Sequence, residues 1–126
     1  MKKMLLLLLV IGFMASDLAA QNIFGRWWTK DKKSIVYIYP CENGICGKLE
    51  EIVKPDKPED IRFKGFVVLR NFKKRSQKEW VEGQIWDPRT NKDYSGKLVL
   101  EGNQLYVRGF VGIELLGQTQ TWERVQ

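Results

Sequence analysis

The chain has 126 residues, which is room for one domain with one hydrophobic core. Its formal net charge is +6 at pH 7, and it contains no histidine. The lack of histidine excludes Ser-His-Asp and Cys-His nucleophile systems and the common imidazole metal sites, so an enzyme would have only carboxylate, lysine or tyrosine chemistry.

Residues 1–20 have the three parts of a secretory signal peptide: a basic start, an apolar run over 4–14, and small residues before a predicted cut after Ala20. The apolar run is about half the roughly twenty residues that a bilayer span needs, so a membrane anchor is the weaker interpretation. No cysteine follows the run as a lipid attachment point. We therefore predict a periplasmic or secreted protein with no membrane span in its mature part.

Residues 21–126 alternate apolar and polar side chains with a period of two, which predicts strands rather than helices. The predicted strands are 23–28, 34–39, 45–53, 66–72, 80–86, 92–100, 104–111 and 118–125. Eight strands with mostly short connections predict an all-β fold, a single antiparallel up-and-down barrel. The one long connection, 54–65, contains Pro58-Glu59-Asp60-Ile61, which predicts one or two helical turns ending near Gly65 that cover one mouth of the barrel.

A two-residue turn at Gly102-Asn103 would fix the register of the sixth and seventh strands. The resulting pairs are Glu101 with Gln104, Leu100 with Leu105, Leu98 with Val107, Gly96 with Gly109, and Tyr94 with Val111. All but the first of these can face a core. Lys97 and Arg108 meet on the other face, and because two like charges need water between them, we place that face outside.

A second hairpin is predicted around Asn43-Gly44, a strong type I′ signal, with Cys41 opposite Cys46. In an exported chain with two cysteines this favours a local disulfide, and two free thiols are the alternative. The register gives Pro40 a hydrogen-bonded position, which predicts a bulge because proline has no N–H to donate. Val36, Ile38, Leu49 and Val53 form the predicted core face of this hairpin, and Tyr37, Tyr39, Lys48 and Glu50 form its outer face.

Lys73-Lys74-Arg75, with Lys78 beyond, concentrates positive charge between two strands. The simpler interpretation is a solvated hairpin loop; the alternative is attraction to an anionic envelope component. Nucleic acid is not an expected partner of an exported chain. No glycine-rich phosphate loop follows a strand, and Gly109 and Gly112 are interpreted as strand-bend and packing positions.

Gly25-Arg26-Trp27 near the start, with Trp122 and Arg124 near the end, resembles the calycin pattern of lipocalins and fatty-acid-binding proteins, in which an N-terminal tryptophan packs beneath an arginine from the last strand. The chain also resembles an exported bacterial family labelled domain of unknown function 2147. The matching segments are 46–49, 83–88, Tyr94, 107–112 and 117–125. The resemblance implies a lipocalin-like barrel and export, and no assigned reaction.

Two positions depart from that family. Asn91 stands where the family usually has glycine after Asp-Pro, in a conformation that asparagine tolerates less freely. The segment before Phe66 is shorter than the family's usual Asp-rich loop. Any role of that loop elsewhere is therefore not carried over to this chain.

The shared residues have mainly structural interpretations. Asp87-Pro88 is predicted to set a turn, and the alternative is a cation site built from Asp87, Asn91 and Asp93. Trp27, Trp122 and Arg124 are predicted to close the barrel through apolar and cation-π contact, and the alternative is a ligand clamp. Gly25 is counted with them as a structural position. Glu82 and Glu123 could be imagined as a carboxylate pair for sugar hydrolysis, but solvated outer faces are the default.

An eight-stranded barrel either fills itself with side chains or holds one small ligand. In the first case Leu98, Leu100, Leu105 and Val107 close the interior, and the protein engages an envelope partner through its basic and aromatic surface. In the second case a cleft binds a small amphipathic or apolar ligand, and its candidate contacts are Trp86, Tyr94, Phe110 and Gln120. We favour the second, a non-enzymatic binding module with no cofactor and no metal.

Overall fold

The structure is a computed structural model that describes residues 22–113 and 117–126. Over those residues eight strands follow one another around a closed antiparallel barrel. They are β1 (Gly25–Trp28), β2 (Ser34–Cys41), β3 (Gly44–Ile52), β4 (Val67–Lys74), β5 (Glu79–Asp87), β6 (Lys92–Glu101), β7 (Gln104–Phe110) and β8 (Gln118–Arg124). The predicted barrel is confirmed, and each strand lies within two residues of its predicted bounds. The predicted leader lies outside the described residues.

The barrel closes where β1 pairs with β8, through Trp27 opposite Arg124 and Trp28 opposite Glu123. Because neighbouring strands are antiparallel, the connections alternate between the two ends of the barrel. The β2–β3, β4–β5 and β6–β7 turns lie at what we call the closed end. The β1–β2, β3–β4, β5–β6 and β7–β8 loops surround the opposite end, which we call the mouth.

The β6–β7 hairpin has the predicted register from Glu101 opposite Gln104 to Gly96 opposite Gly109, with Lys97 opposite Arg108. The predicted pair of Tyr94 with Val111 is wrong. The ladder ends one step earlier, and Val111 is 73% exposed. β7 ends at Phe110, and Gly112, with a φ of +78°, turns the chain away two residues later.

The β2–β3 hairpin has a different register from the predicted one. Cys41 lies opposite Gly44, so Glu42 and Asn43 form the turn, and neither has the positive φ that a type I′ turn requires. Pro40 then lies opposite Ile45. This pair is one step beyond Cys41 and Gly44, the hydrogen-bonded pair that flanks the two-residue turn. The position of Pro40 therefore needs no N–H donor, and the proline breaks no hydrogen bond between the strands. The bulge in this hairpin lies at Ile35 and Val36 instead.

The cysteines of this hairpin are joined. Cys41 and Cys46 form a disulfide with their α-carbons 5.8 Å apart, as predicted, although the two residues are diagonal neighbours and not direct partners. The predicted faces also hold in the strand interiors, where Val36, Ile38 and Leu49 are buried. Val53 follows the last residue of β3 and is exposed, so its assignment to the core was wrong.

Phe72 of β4 fills the middle of the barrel. A methyl group on Gly83 would overlap its ring, and one on Gly96 would lie 2.6 Å from its Cζ, so these two positions admit the ring only because they carry no side chain. The side chains of Leu98, Leu100 and Leu105 are also fully buried. Beyond this level, the closed half of the barrel is a packed core. The core residues lie between Ile23 and Trp122, so a chain beginning at Gln21 contains all of them.

The long β3–β4 connection forms the predicted helical turn, a 3-10 helix over Pro58–Phe63. It does not cover the mouth, because none of residues 53–66 borders the barrel cavity. The segment is held at the side of β3, where Gly65 donates its N–H to the Leu49 carbonyl at 2.6 Å. A second 3-10 turn over Lys30–Lys32, which the sequence pattern did not predict, lies in the β1–β2 loop. No helix within the described ranges has the length and apolar character to cross a bilayer.

Candidate ligand cavity

A cavity of about 620 Å³ opens at the mouth of the barrel. Its apolar walls come from inward-facing residues of five different strands, namely Val36, Leu69, Ile85, Val107 and Trp122. Phe72 and the two glycines around it separate this space from the packed half. The barrel is therefore filled at the closed end and open at the mouth. Leu98, Leu100 and Leu105 lie in the filled half, as predicted for a closed interior, whereas Val107, predicted to close it with them, borders the cavity.

The rim of the cavity carries polar groups from two elements. Thr29 and Lys30 border it from the β1–β2 loop, and Gln118, Thr119 and Gln120 border it from β8. Gln120 accepts a hydrogen bond from Nε1 of Trp122 at 3.2 Å, which fixes the indole in the wall. No polar or charged residue of the described chain is buried. The cavity can therefore receive an apolar group at depth and a polar group at its rim.

The four candidate contact residues all border this cavity: Trp86, Tyr94, Phe110 and Gln120. Tyr94 and Gln120 are in phase with the buried residues of their strands, since Tyr94 is opposite Ile85 and Gln120 is opposite Val107. Trp86 and Phe110 are out of phase with those faces and lie at the ends of their strands.

Trp86 also belongs to an aromatic cluster beside the mouth. Its ring stacks on Phe66 at 5.8 Å and meets Phe63 edge-on at 6.3 Å, while its Nε1 donates to Asn91 Oδ1 at 3.0 Å. These contacts hold the indole in one orientation. Trp86 is therefore a rigid part of the rim, and Tyr94 is the aromatic residue that belongs to the inner wall.

Three mouth loops are joined by an ion-pair network that the sequence pattern did not reveal. Asp56 of the β3–β4 connection accepts from Lys33 Nζ and from Arg89 Nη1, each at 2.7 Å. Arg89 Nε lies 3.5 Å from Asp87 Oδ1. The hydrogen bonds from Lys33 and Arg89 lower the pKa of Asp56, and the bond to Asp56 raises the pKa of Arg89. A side pocket of about 340 Å³ lies against this network.

The closed end has the arrangement predicted for Trp27 and Arg124. The Arg124 guanidinium lies 4.3 Å from the centre of the Trp27 ring and donates to the Asn22 carbonyl at 2.6 Å. Trp27 donates its own Nε1–H to the Ile23 carbonyl at 2.9 Å. Burial lowers the pKa of Arg124. Gly25 begins β1 with a φ of +123°, and Trp122 is buried opposite Leu105. The Trp27–Arg124 contact lies at the far end from the cavity, whereas Trp122 also borders the cavity wall.

Two of the three residues proposed for a cation site, Asp87 and Asn91, have other partners. Asp87 accepts from the Arg89 backbone N–H at 3.0 Å, in the turn that Pro88 begins, and Asn91 accepts from Trp86. Asn91 adopts a φ of +55°, so it tolerates the conformation that glycine usually supplies. Within residues 22–113 and 117–126, no three acidic or cysteine side chains are grouped so as to hold a metal ion.

Glu82 and Glu123 are not brought together. Glu82 lies on β5 and is 72% exposed, 3.8 Å from Lys73 Nζ. Glu123 is exposed on β8, three strands further round the barrel. The basic stretch at the closed end is also engaged: its acidic partners are Glu82 for Lys73, Glu79 for Arg75 and Glu101 for Lys78. Lys74 lies over the Trp80 ring.

The fold and sequence have known relatives. Protein HP1028 from the human pathogen Helicobacter pylori, described as belonging to the lipocalin family, has a similar structure. The TM-score is 0.69 and the identity 17%, over 83% of this chain and 84% of that one, a likeness that shows a shared fold. None of the curated proteins matches the sequence. Residues 25–124 match the family described as an uncharacterized protein conserved in bacteria (DUF2147), and the chain belongs to that family.

Proposed function

We propose that this protein is a non-enzymatic, exported binding module that holds one small amphipathic or apolar molecule in the mouth cavity. The observation that carries the proposal is the division of the barrel interior, which is packed below Phe72 and open above it. A barrel that served only as a rigid interaction surface would have no need of the open half.

The chemistry of the cavity indicates the kind of ligand. Its volume, about 620 Å³, lies within the range of roughly 300–1,000 Å³ found for small-molecule sites. Burial of an apolar group against Val36, Leu69 and Val107 would supply most of the binding free energy. The hydroxyl and amide groups of the rim would hydrogen-bond a polar end, which favours an amphipathic molecule over a purely apolar one.

Export is part of the same proposal. The Cys41–Cys46 disulfide fits an oxidising compartment such as the periplasm or the exterior. The alternative function, an interaction module that uses the basic stretch, has less support because the cations of that stretch already pair with neighbouring side chains. The lipocalin-like fold and the described residues around the cavity both favour binding over catalysis.

The test blocks the cavity from within. A Cβ on Gly109 would lie 3.6 Å from Ile85 and Tyr94, an ordinary contact, so Gly109→Leu places a larger side chain in the cavity without backbone strain. Ser95→Leu adds the same side chain on the exposed face of the neighbouring strand and is the matched control. Both are compared with the unaltered chain from Gln21 onward, with N-phenyl-1-naphthylamine as the fluorescent probe.

We expect the unaltered protein and Ser95→Leu to bind the probe equally, and Gly109→Leu to bind at least about tenfold more weakly, a difference of about 1.4 kcal/mol. Native mass spectrometry of the purified protein should also reveal a co-purified small molecule, absent from Gly109→Leu. Equal probe binding by all three proteins would reject the cavity as the binding site.

A further inference from the structure

The exposed large hydrophobic side chains are concentrated at the mouth. Of seven in the described chain, five follow β3 or β7 into the mouth loops: Val53, Ile61, Phe66, Val111 and Ile113. Ile61, Val111 and Ile113 are 61%, 73% and 64% exposed. The other two, Phe24 and Tyr37, lie elsewhere on the barrel. Exposed apolar side chains grouped in this way mark a surface that meets another apolar phase.

These side chains form two apolar tips. One belongs to the β3–β4 connection and the other to the β7–β8 connection, and in the closed strand order these connections lie on opposite sides of the mouth. Both project at the end where the cavity opens. A flat partner that contacted both tips would therefore lie across the mouth, with the barrel axis roughly upright on it.

The same loops carry an excess of positive charge. Segments 29–33, 53–66, 88–91 and 111–117 contain eight basic residues and five acidic ones, a net charge of +3. Asp56, one of the acidic residues, already pairs with Lys33 and Arg89. The side chains of Lys30, Lys54 and Lys64 have no side-chain partner in the part of the chain that the structure describes. The mouth therefore offers unpaired cations beside apolar tips.

We propose that the mouth docks on an anionic lipid bilayer. The apolar tips would enter the headgroup region while the lysines approach lipid phosphates, the combination by which peripheral proteins bind membranes. The cavity then opens directly toward the bilayer, so an amphipathic molecule could pass between the two without crossing water. Docking depends on the loop surface alone and does not require that the cavity bind a ligand.

The test is co-sedimentation of the chain from Gln21 onward with vesicles of phosphatidylcholine containing one quarter phosphatidylglycerol, or of phosphatidylcholine alone. Two mouth variants remove the apolar tips (Ile61→Ser with Ile113→Ser) or the cations (Lys54→Gln with Lys64→Gln). Two closed-end controls make matched changes, Phe24→Ser and Arg75→Gln with Lys78→Gln. All of these side chains are exposed, so the core is untouched; circular dichroism checks the fold.

We expect binding to anionic vesicles that weakens with added salt, little binding to neutral vesicles, and no loss in the controls. Each lysine near an anionic surface contributes about fivefold in affinity, so the double lysine variant should bind roughly 25-fold more weakly. Equal binding to both vesicle types, or equal loss in closed-end and mouth variants, would overturn the proposal. So would a dimer without vesicles that Ile113→Ser converts to a monomer, since the tips would then serve self-association.

Discussion

The ring of Phe72 on β4 lies directly over the α-carbon of Gly83 on β5, so closely that any side chain at Gly83 would overlap it. This contact divides the barrel into its two halves. The closed half is packed up to the ring, and the cavity begins beyond it. The size of the cavity therefore depends on one aromatic residue and on the glycine that makes room for it.

The first prediction concerns that contact. Gly83→Ala should lower the free energy of unfolding by about 1–3 kcal/mol, because the added methyl group has no space beside the Phe72 ring. Gly109→Ala is the matched control: its Cβ would lie 3.6 Å from its neighbours, so the cost should be below about 0.5 kcal/mol. Urea denaturation of both variants measures the difference. Equal stabilities of the two would show that Phe72 does not pack as described.

The disulfide should strengthen the barrel without being needed for it. Its cysteines are only five positions apart, so replacing both by serine should cost about 2 kcal/mol while the far-ultraviolet circular dichroism stays unchanged. The hairpin remains held by β1 and β4 on either side. A serine variant that lost the barrel spectrum would contradict this expectation.

Arg124 is predicted to stabilise the fold through the planar shape of its guanidinium and not through its charge alone. Arg124→Lys keeps the charge but loses the flat contact with Trp27 and the fixed donor geometry, so it should cost about 1–2 kcal/mol in unfolding free energy. Arg70 is exposed on β4, and Arg70→Lys is the control, with little expected effect. If both lysine variants unfolded at the same urea concentration, the stack at the closed end would have no energetic role.

The ion-pair network at the mouth should respond to acid. The pKa of Asp56 is lowered in the folded protein from its ordinary value of 3.8, so its pairing stabilises the loops above that pH and is lost as the pH falls through the lower folded value. Val53 and Lys54 donate their backbone N–H groups to the Lys33 carbonyl beside this network. At pH 6 the amides of Val53 and Lys54 should exchange with solvent more slowly in the unaltered protein than in the Asp56→Asn variant.

That difference in amide exchange should disappear as the pH falls through the lowered pKa of Asp56, because the unaltered protein then becomes protonated at this residue as well. Glu59→Gln removes a neighbouring carboxylate that has no ion-pair partner in the described chain, and it should match the unaltered protein at every pH. An equal effect of the two substitutions at pH 6 would indicate a general charge effect and not the Asp56 network.

The sequence predicted strand number, order and most of one register, because those features follow from local alternation and turn residues. The β6–β7 hairpin is an example, since Gly102-Asn103 and the leucines on either side agree on one register. The same reasoning predicted the wrong register for the β2–β3 hairpin. The sequence pattern placed Gly44 in the turn. In the structure a Cβ at this position would overlap the Phe72 carbonyl of β4, so glycine is needed for close packing between strands, and the local sequence cannot show that contact.

All four candidate contact residues border the cavity, but the features that define the cavity depend on contacts between residues far apart in the sequence. Phe72 meets Gly83 and Gly96 across strands, and Asp56 meets Lys33 and Arg89 across loops. A signal for the first contact was present, since both glycines fall at inward positions of adjacent strands and lie opposite each other. No comparable pattern marked the ion-pair network.

The most direct test of the account is a methyl nuclear magnetic resonance titration with N-phenyl-1-naphthylamine. The account predicts that the probe shifts the methyl signals of Val36, Leu69, Ile85 and Val107, which border the cavity, and leaves those of Leu98, Leu100 and Leu105 in the packed half unchanged. A spectrum without shifts, or with shifts confined to the packed half or the outer surface, would contradict the claim that the open half of the barrel is a binding site.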